Sequence, residues 1–240
     1  MTRLLAVALV ALALPASVSS ATPITVLAAA SLTEVLPRID KAPRYSFAGS
    51  DQLAAQIQQG APVDVFAAAS PKQPELLYRK GLVRKPVVFA TNRLIVLVPR
   101  GNPGGIRSVY DLRREGLKIV IGDSTVPIGI YTRQILDTLG ITAEVTKNVV
   151  SQDTDVKGIV TKVALGEADA GFVYLTDAKP VASRTRSVAL PQWAQPPIRY
   201  EIAIVKSSSH PVASKAFVEK LLSKRGRLLL AKAGFGLPKR

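Results

Sequence analysis

Three stretches of the sequence pass from an apolar run through a small or polar residue into a predicted helix, and a fourth adds another helix start. They are "AAASLTE", "FAGSDQLA", "GDSTVPIGIYT" and "SQDTDVKGIV". A helix N-terminus carries unpaired N–H groups and a partial positive charge, which suit an anion. Each serine or aspartate taken alone is an ordinary helix cap. Several such termini at one cleft would instead surround a small oxyanion with neutral donors.

Ser31, in "LAAASLTEV", has two competing interpretations. It ends the apolar run that begins at Ile24, and Glu34 follows three residues later. Serine and glutamate at this spacing are typical of a capping box, in which the serine hydroxyl binds its own helix. If Ser31 binds a ligand, its hydroxyl faces the cleft and Glu34 is an ordinary first-turn acid.

Residues that could support an enzyme are few. The chain has one histidine, His210 in "SSSHPVAS", and no cysteine, so the usual zinc spacings cannot be built. The Walker pattern, G-x-G-x-x-G and the G-x-S-x-G elbow do not occur. A secreted hydrolase that used Ser31 or Ser50 as nucleophile would need a nearby base, and none is evident. We therefore expect a binding protein and keep a serine hydrolase as an alternative.

The first 21 residues have the pattern of a secretory signal peptide. Arg3 provides a positive charge, an apolar core follows, and "SSA" gives a small-residue cleavage site near Ala21. The absence of cysteine also excludes a lipid-modified N-terminal cysteine as an anchor. An exported and untethered chain is retained only by an outer membrane, so we expect a periplasmic protein.

The chain is strongly basic, with a formal net charge of +15 at pH 7. A basic chain can indicate a nucleic-acid partner. Here lysine and arginine are scattered, and aromatic residues make up only 5% of the chain, so charge and stacking residues are not interleaved. We expect no nucleic-acid partner.

Short apolar runs alternate with helical patterns, which predicts an α/β fold with mainly parallel sheets flanked by helices. "ITVLAAA" and "VDVFAAA" would start the sheet of one lobe, and "KIVIGD" and "AGFVYL" that of a second. The predicted lobe I comprises residues 22–90 and 206–240, and lobe II comprises 91–205. Extended runs near 91–98 and 199–205 are the predicted crossing strands and hinges. Pro37 predicts a short or kinked first helix.

At these residues the sequence resembles the periplasmic molybdate-binding proteins of ABC transporters. The resemblance covers nearly the whole chain after the signal peptide, in order. Its most specific parts are "FAGSDQLAAQIQQGAPVDVFAAAS" and "VPIGIY", supported by "GFVYLTDA" and the terminal "AGFGLP". One departure is the segment from Ser31 to Ser50, which is shorter than is usual in that family.

The resemblance implies a two-lobed class II periplasmic binding-protein fold that closes over a tetrahedral oxyanion. Carried over, the ligand-binding groups are the hydroxyls and N–H groups of Ser31 and Ser50, the N–H groups of Ile128 and Val156, and the phenol of Tyr174. The family often has alanine at the position of Ile128, where only the backbone is used. These groups would hold molybdate through its oxygens, with no direct metal ligand.

The function implied is an extracytoplasmic receptor that binds molybdate, and also tungstate, and delivers it to a membrane permease. We expect a monomer that needs no cofactor. A receptor for another tetrahedral oxyanion, such as sulfate, shares every fold-level feature and stays open as an alternative.

Overall fold

The structure is a computed structural model that describes residues 23–238. The predicted signal peptide, residues 1–21, lies outside the described residues. Within the described range, no helix is both long and apolar enough to cross a membrane.

Ten strands in the described part of the chain form two five-stranded sheets. The first sheet contains, in spatial order, β2 (Arg44–Ala48), β1 (Thr25–Ala29), β3 (Val65–Ala68), β10 (Ile198–Ile204) and β4 (Val87–Asn92). The second contains β7 (Val149–Asp153), β6 (Ile119–Gly122), β8 (Ala170–Tyr174), β5 (Leu94–Pro99) and β9 (Thr185–Ala189). Every residue of β3 and of β8 is buried, as expected for apolar strands covered on both faces.

Helices connect and cover these strands. The α-helices are α1 (Leu36–Ile39), α2 (Ser50–Gln58), α3 (Lys72–Arg79), α4 (Pro127–Leu139), α5 (Thr142–Lys147), α6 (Val156–Leu165), α7 (Leu175–Ala178), α8 (Pro211–Leu222) and α9 (Lys224–Ala233). Short 3-10 helices lie at Ala30–Leu32, Val109–Arg113, Lys179–Val181 and Gln192–Ala194.

The two-lobed α/β prediction is confirmed, and both pairs of starting strands lie in the predicted sheets. The sheets are mixed rather than mainly parallel. In the first, β1 pairs in parallel with β2 and β3, whereas β10 is antiparallel to β3 and β4. In the second, β6 is parallel to β7 and β8, whereas β5 is antiparallel to β8 and β9. The reason is the path of the chain: β5 and β10 each arrive from the other lobe and enter their sheet in the opposite direction.

The chain passes between the sheets twice. The first crossing is Arg93, between the end of β4 and the start of β5, inside the predicted range 91–98. The return runs through residues 190–197, between β9 and β10. The run 199–205, predicted to be the second crossing, lies almost entirely in β10 and pairs with β3 and β4. Its alternating apolar residues fill a position inside the first sheet, and the proline-rich segment before it makes the crossing.

The short first helix predicted from Pro37 is confirmed, since α1 has four residues and begins next to that proline. Gly140 and Gly166 are the left-handed C-caps of α4 and α6. The last two helices are separated at Ser223, which ends α8 and whose hydroxyl caps α9 by accepting from the Gly226 N–H.

Gln195 holds the two crossing segments together. Its side-chain amide donates to the Leu94 carbonyl at 2.8 Å, and its side-chain oxygen accepts from the Leu94 N–H at 3.0 Å. Leu94, at the start of β5, is completely buried. The N–H and the carbonyl of Leu94, next to the first crossing, therefore both bond to one side chain of the second crossing.

We expect Gln195→Ala to lower the free energy of unfolding by about 1–3 kcal/mol, because a buried N–H and carbonyl lose their partner. Urea unfolding monitored by circular dichroism measures the change. Gln192→Ala, at an exposed position in the same segment, is the matched control. Equal stability of the two variants would show that the Gln195 amide does not support the crossing.

Candidate ligand-binding site

A small cavity lies between the lobes, beyond the carboxyl ends of strands from both sheets. The space between its lining atoms is about 230 Å³, including the part that is open to solvent. All five residues predicted to bind the ligand line it: Ser31, Ser50, Ile128, Val156 and Tyr174. Ligands of open α/β sheets lie at this edge, because the turns from strand to helix meet there. The structure thus brings the whole predicted set together, whereas His210 is at the start of α8 and contacts Asp64 instead.

Ser31 faces the cavity and does not cap a helix. It lies within the 3-10 helix Ala30–Leu32, whose first residue has no side-chain cap. Its Oγ is 2.8 Å from the phenol oxygen of Tyr200. The capping box suggested by Ser31 and Glu34 is therefore wrong. The 3-10 helix ends before Glu34, and that carboxylate lies 4.0 Å from the ammonium of Lys157 in the other lobe.

Ser50 is positioned by the start of α2. It is the first residue of that helix, after Gly49, which provides no side-chain cap. Its Oγ accepts a hydrogen bond from the Ala69 N–H at 3.1 Å. That bond occupies a lone pair of the hydroxyl and leaves its proton available, since a serine hydroxyl can both accept and donate. Ser50 is 1% exposed and lines the cavity, so a ligand there could accept this proton.

Two helices of the second lobe direct backbone N–H groups at the same space. Ile128 is the second residue of α4, which has no side-chain cap. Val156 is the first residue of α6, where the Asp155 carboxylate accepts from the N–H groups of Lys157 and Gly158 at 2.7 and 3.2 Å. The N–H groups of a first turn have no partner within their helix. Asp155 therefore binds the later donors and leaves that of Val156 for the cavity.

Tyr174 contributes a buried phenol without a partner. It ends β8, is 2% exposed, and its hydroxyl has no hydrogen-bond partner among the described residues. Burial raises the pKa of this phenol well above its ordinary value, with smaller contributions from Tyr200, Tyr131 and Asp177. The group is therefore a neutral donor at every physiological pH. A buried polar group without a partner is uncommon and points to a ligand that supplies one.

The cavity lining is poor in charge. Among the described residues that form it, none is lysine or arginine, and the only acidic residue is Asp155, whose carboxylate caps α6. No group of three or more acidic or histidine side chains in the described range could hold a metal ion. Such a site can bind a small anion through hydroxyl and amide hydrogens, each stronger when the acceptor is charged.

The two lobes touch at the edge of the cavity. The Thr125 hydroxyl of the second lobe lies 3.2 Å from Asp51 of the first, and 2.8 Å from Asp123 in its own lobe. A Cβ at Gly49 would lie 2.5 Å from the carbonyl oxygen of Thr154 in the opposite lobe and 3.3 Å from Val126. Glycine at position 49 thus allows the backbones of the lobes to close around the cavity.

We expect Gly49→Ala to weaken ligand binding at least tenfold, because the added methyl group obstructs the approach of the lobes. Its effect on the unfolding temperature without ligand should be small, since the main obstruction is in the other lobe. Calorimetric titration and thermal unfolding measure the two quantities. Gly101→Ala, where an added Cβ meets no atom within 4 Å, is the control. Unchanged binding by Gly49→Ala would contradict this account of closure.

Asp155 is the ordinary helix cap that its helix start predicts. Two other polar residues are not singled out by the sequence. Tyr200 lies in the predicted crossing 199–205. Asp177, in "LTDA", is fully buried and faces the Lys157 ammonium at 3.2 Å. Burial raises the pKa of Asp177 to about 6, although Lys157 opposes the shift. Only the tertiary structure shows that this carboxylate is enclosed. The residues on either side of it, threonine and alanine, form no apolar pattern that predicts burial.

We expect the stability of the protein to include a contribution from Asp177 that increases as pH falls. The pKa in the folded state, about 6, is above the ordinary 3.8, so the folded protein takes up the proton first between these values. The contribution is complete below about pH 4 and is lost as pH rises through 6. Asp177→Asn should remove this slope, measured as the unfolding midpoint in urea between pH 4 and 7.5. An identical slope in the variant and the wild type would contradict the assignment.

The protein has two α/β lobes with a small cavity between them. This architecture is that of the solute-binding proteins. Residues 24–236 match the family model described as bacterial extracellular solute-binding protein. The chain belongs to this family. It is therefore a binding protein and not an enzyme, which removes the serine hydrolase alternative.

The chain is also similar to individual proteins of this kind. The chain is 38% identical over 225 residues to the molybdate-binding protein ModA of Mycobacterium tuberculosis, covering 90% of this chain and 85% of the relative. It is 32% identical to ModA of Haemophilus influenzae, covering 91% and 92%. Among solved structures, the periplasmic molybdate-binding protein of Azotobacter vinelandii matches with a TM-score of 0.81 at 24% identity, covering 90% of this chain and all of that one. That last likeness shows the fold.

Proposed function

We propose that the protein is a receptor that binds molybdate, and also tungstate, and delivers it to an ABC transporter permease. The observation that carries the proposal is the buried Tyr174 hydroxyl, which has no hydrogen-bond partner among residues 23–238 and belongs to a residue that lines the same cavity as Ser31 and Ser50. The names of relatives at 38% and 32% identity support molybdate as the ligand.

The donor set suits a dianion. Removing a charge from water is costly unless hydrogen bonds replace its hydration. The hydroxyls of Ser31, Ser50 and Tyr174 and the N–H groups of Ile128 and Val156 would supply several donors without a buried counter-cation. The four helix starts add positive partial charge at the same point. Binding would therefore rely on neutral groups held in place by the scaffold.

Closure of the lobes would complete the site. Ser31 and Ser50 belong to the first lobe, and the other three ligand-binding residues belong to the second. An anion bound between them bridges the lobes, with Arg93 and the segment 190–197 as the segments that bend. A permease could then distinguish the closed receptor from the open one.

The proposed setting is the periplasm, where a signal peptide cleaved near Ala21 would direct the chain. We propose that it acts there as a monomer and needs no cofactor, so that binding is insensitive to chelators such as EDTA.

Titration of the purified protein with molybdate, tungstate, sulfate and phosphate tests the function. Molybdate and tungstate should bind tightly in a one-to-one ratio, and sulfate and phosphate much more weakly. Saturable sulfate binding with no heat from molybdate would make the protein a sulfate receptor instead.

Tyr174→Phe should weaken molybdate binding about 10- to 100-fold, since a hydrogen bond to a charged acceptor contributes roughly 1.5–3 kcal/mol. The ring is kept, so the unfolding temperature without ligand should change little. Tyr110→Phe, at an exposed position of the same lobe, is the matched control. Wild-type affinity in Tyr174→Phe would exclude the phenol from the site.

A further inference from the structure

The direction of the hydrogen bond between Ser31 and Tyr200 decides what Ser31 offers to the cavity. The two oxygens are 2.8 Å apart, and either hydroxyl could donate. If Ser31 donates to Tyr200, only a lone pair of Ser31 is left for the ligand, and it would repel an anion. If Tyr200 donates to Ser31, the Ser31 proton is free to bind the anion.

Asn92 favours donation from Tyr200 to Ser31. Its Oδ1 accepts from the Arg93 N–H at 2.9 Å, which fixes the orientation of the amide group. Its Nδ2 therefore points the other way and donates to the Tyr200 hydroxyl oxygen at 3.3 Å and to Thr176 Oγ1 at 3.0 Å. An amide nitrogen can only donate, so Tyr200 is the acceptor in this bond.

With one acceptor position occupied by Asn92, Tyr200 has its own proton free for Ser31, whose oxygen lies 2.8 Å away. The phenol is fully buried. Its ring packs edge-on against Phe89, Tyr174 and Phe235, with centroid distances of 6.1, 5.8 and 5.4 Å. These contacts hold the hydroxyl between Asn92 and Ser31. The bonds run in one direction, from the Arg93 N–H through Asn92 and Tyr200 to Ser31.

We propose that Asn92 and Tyr200 are positioning residues that turn the Ser31 hydroxyl proton toward the cavity. The proposal rests on the proposed oxyanion-binding function. Ser50 reaches a similar state through the Ala69 N–H, so each serine has one lone pair occupied by a protein donor. Occupied lone pairs leave fewer acceptors for an oxyanion that carries hydrogen. The Asn92–Tyr200 pair thus contributes to selectivity for fully deprotonated oxyanions.

Asn92 lies where the chain passes from one lobe to the other. It ends β4 immediately before the crossing at Arg93, and its second acceptor, Thr176, lies in α7 of the other lobe. The amide that orients Ser31 is therefore held by groups on both sides of the crossing.

The decisive variant is Asn92→Asp, which keeps the shape of the side chain and replaces the donor by an acceptor. Tyr200 should then donate to the new carboxylate, and Ser31 should donate to Tyr200. Molybdate binding should fall more than tenfold. Tyr200→Phe removes the intermediate hydroxyl without charge and should cost about 2- to 10-fold. Tyr45→Phe, whose hydroxyl donates to the Asp40 carbonyl far from the cavity, is the matched control.

Combining Asn92→Asp with Tyr200→Phe distinguishes two effects of Asn92→Asp: the reversed direction of the hydrogen bonds and the added negative charge. In the Tyr200→Phe background, Asn92→Asp can act through charge alone, so its effect on the molybdate dissociation constant should shrink several-fold. Phosphate at pH 7, which always carries hydrogen, should also gain relative to sulfate in Tyr200→Phe. An equal effect of Asn92→Asp in both backgrounds, in a wild type that binds molybdate, would overturn the proposal. A wild type that binds none of the four anions would overturn the proposed function and this proposal with it.

Discussion

The arrangement of hydrogen-bond donors around one small cavity is the constraint on which the rest of the structure depends. A buried anion without compensation is unstable, and here no cationic side chain lines the cavity to provide it. Compensation must come from hydroxyl and N–H groups, which act only at short range and in fixed directions. The fold meets this requirement by ending strands of two sheets at one point. Each turn there leads into a helix whose first N–H groups face the same space.

Neighbouring protein groups orient the donors. Ser50 accepts from the Ala69 N–H, and Ser31 lies next to the Tyr200 phenol. Asp155 binds the later N–H groups of α6 and leaves the first one available. In the described part of the chain the Tyr174 hydroxyl has no partner, which is the clearest sign that the cavity is built for a ligand. The groups that bond to the lining residues thus influence which of them can donate, and selectivity would depend on those groups.

Closure uses the same region of the molecule. Gly49 allows the backbone of one lobe to approach Thr154 of the other, and the Thr125 hydroxyl lies 3.2 Å from Asp51 across the cleft. At the opposite side, Gln195 ties the two crossing segments to each other. The cavity is therefore enclosed by few contacts at its edge and organised by a short, well-bonded connection behind it. This combination is suited to a receptor that must release its ligand.

The two-lobed fold and the starting strands of both sheets can be predicted from the sequence, because they follow from local apolar patterns. The five residues that line the cavity are predicted only through the resemblance to a known family, which motifs such as "FAGS" and "VPIG" carry. Whether those five residues bind the proposed anion is still a prediction. Only the tertiary structure decided that 199–205 is a strand of the first sheet, that Ser31 does not cap a helix, and that Asp177 is enclosed. Pairing partners and burial depend on residues far apart in the chain. The hydrogen bonds from Asn92 through Tyr200 to Ser31 also depend on the tertiary structure, because these three residues are far apart in the sequence.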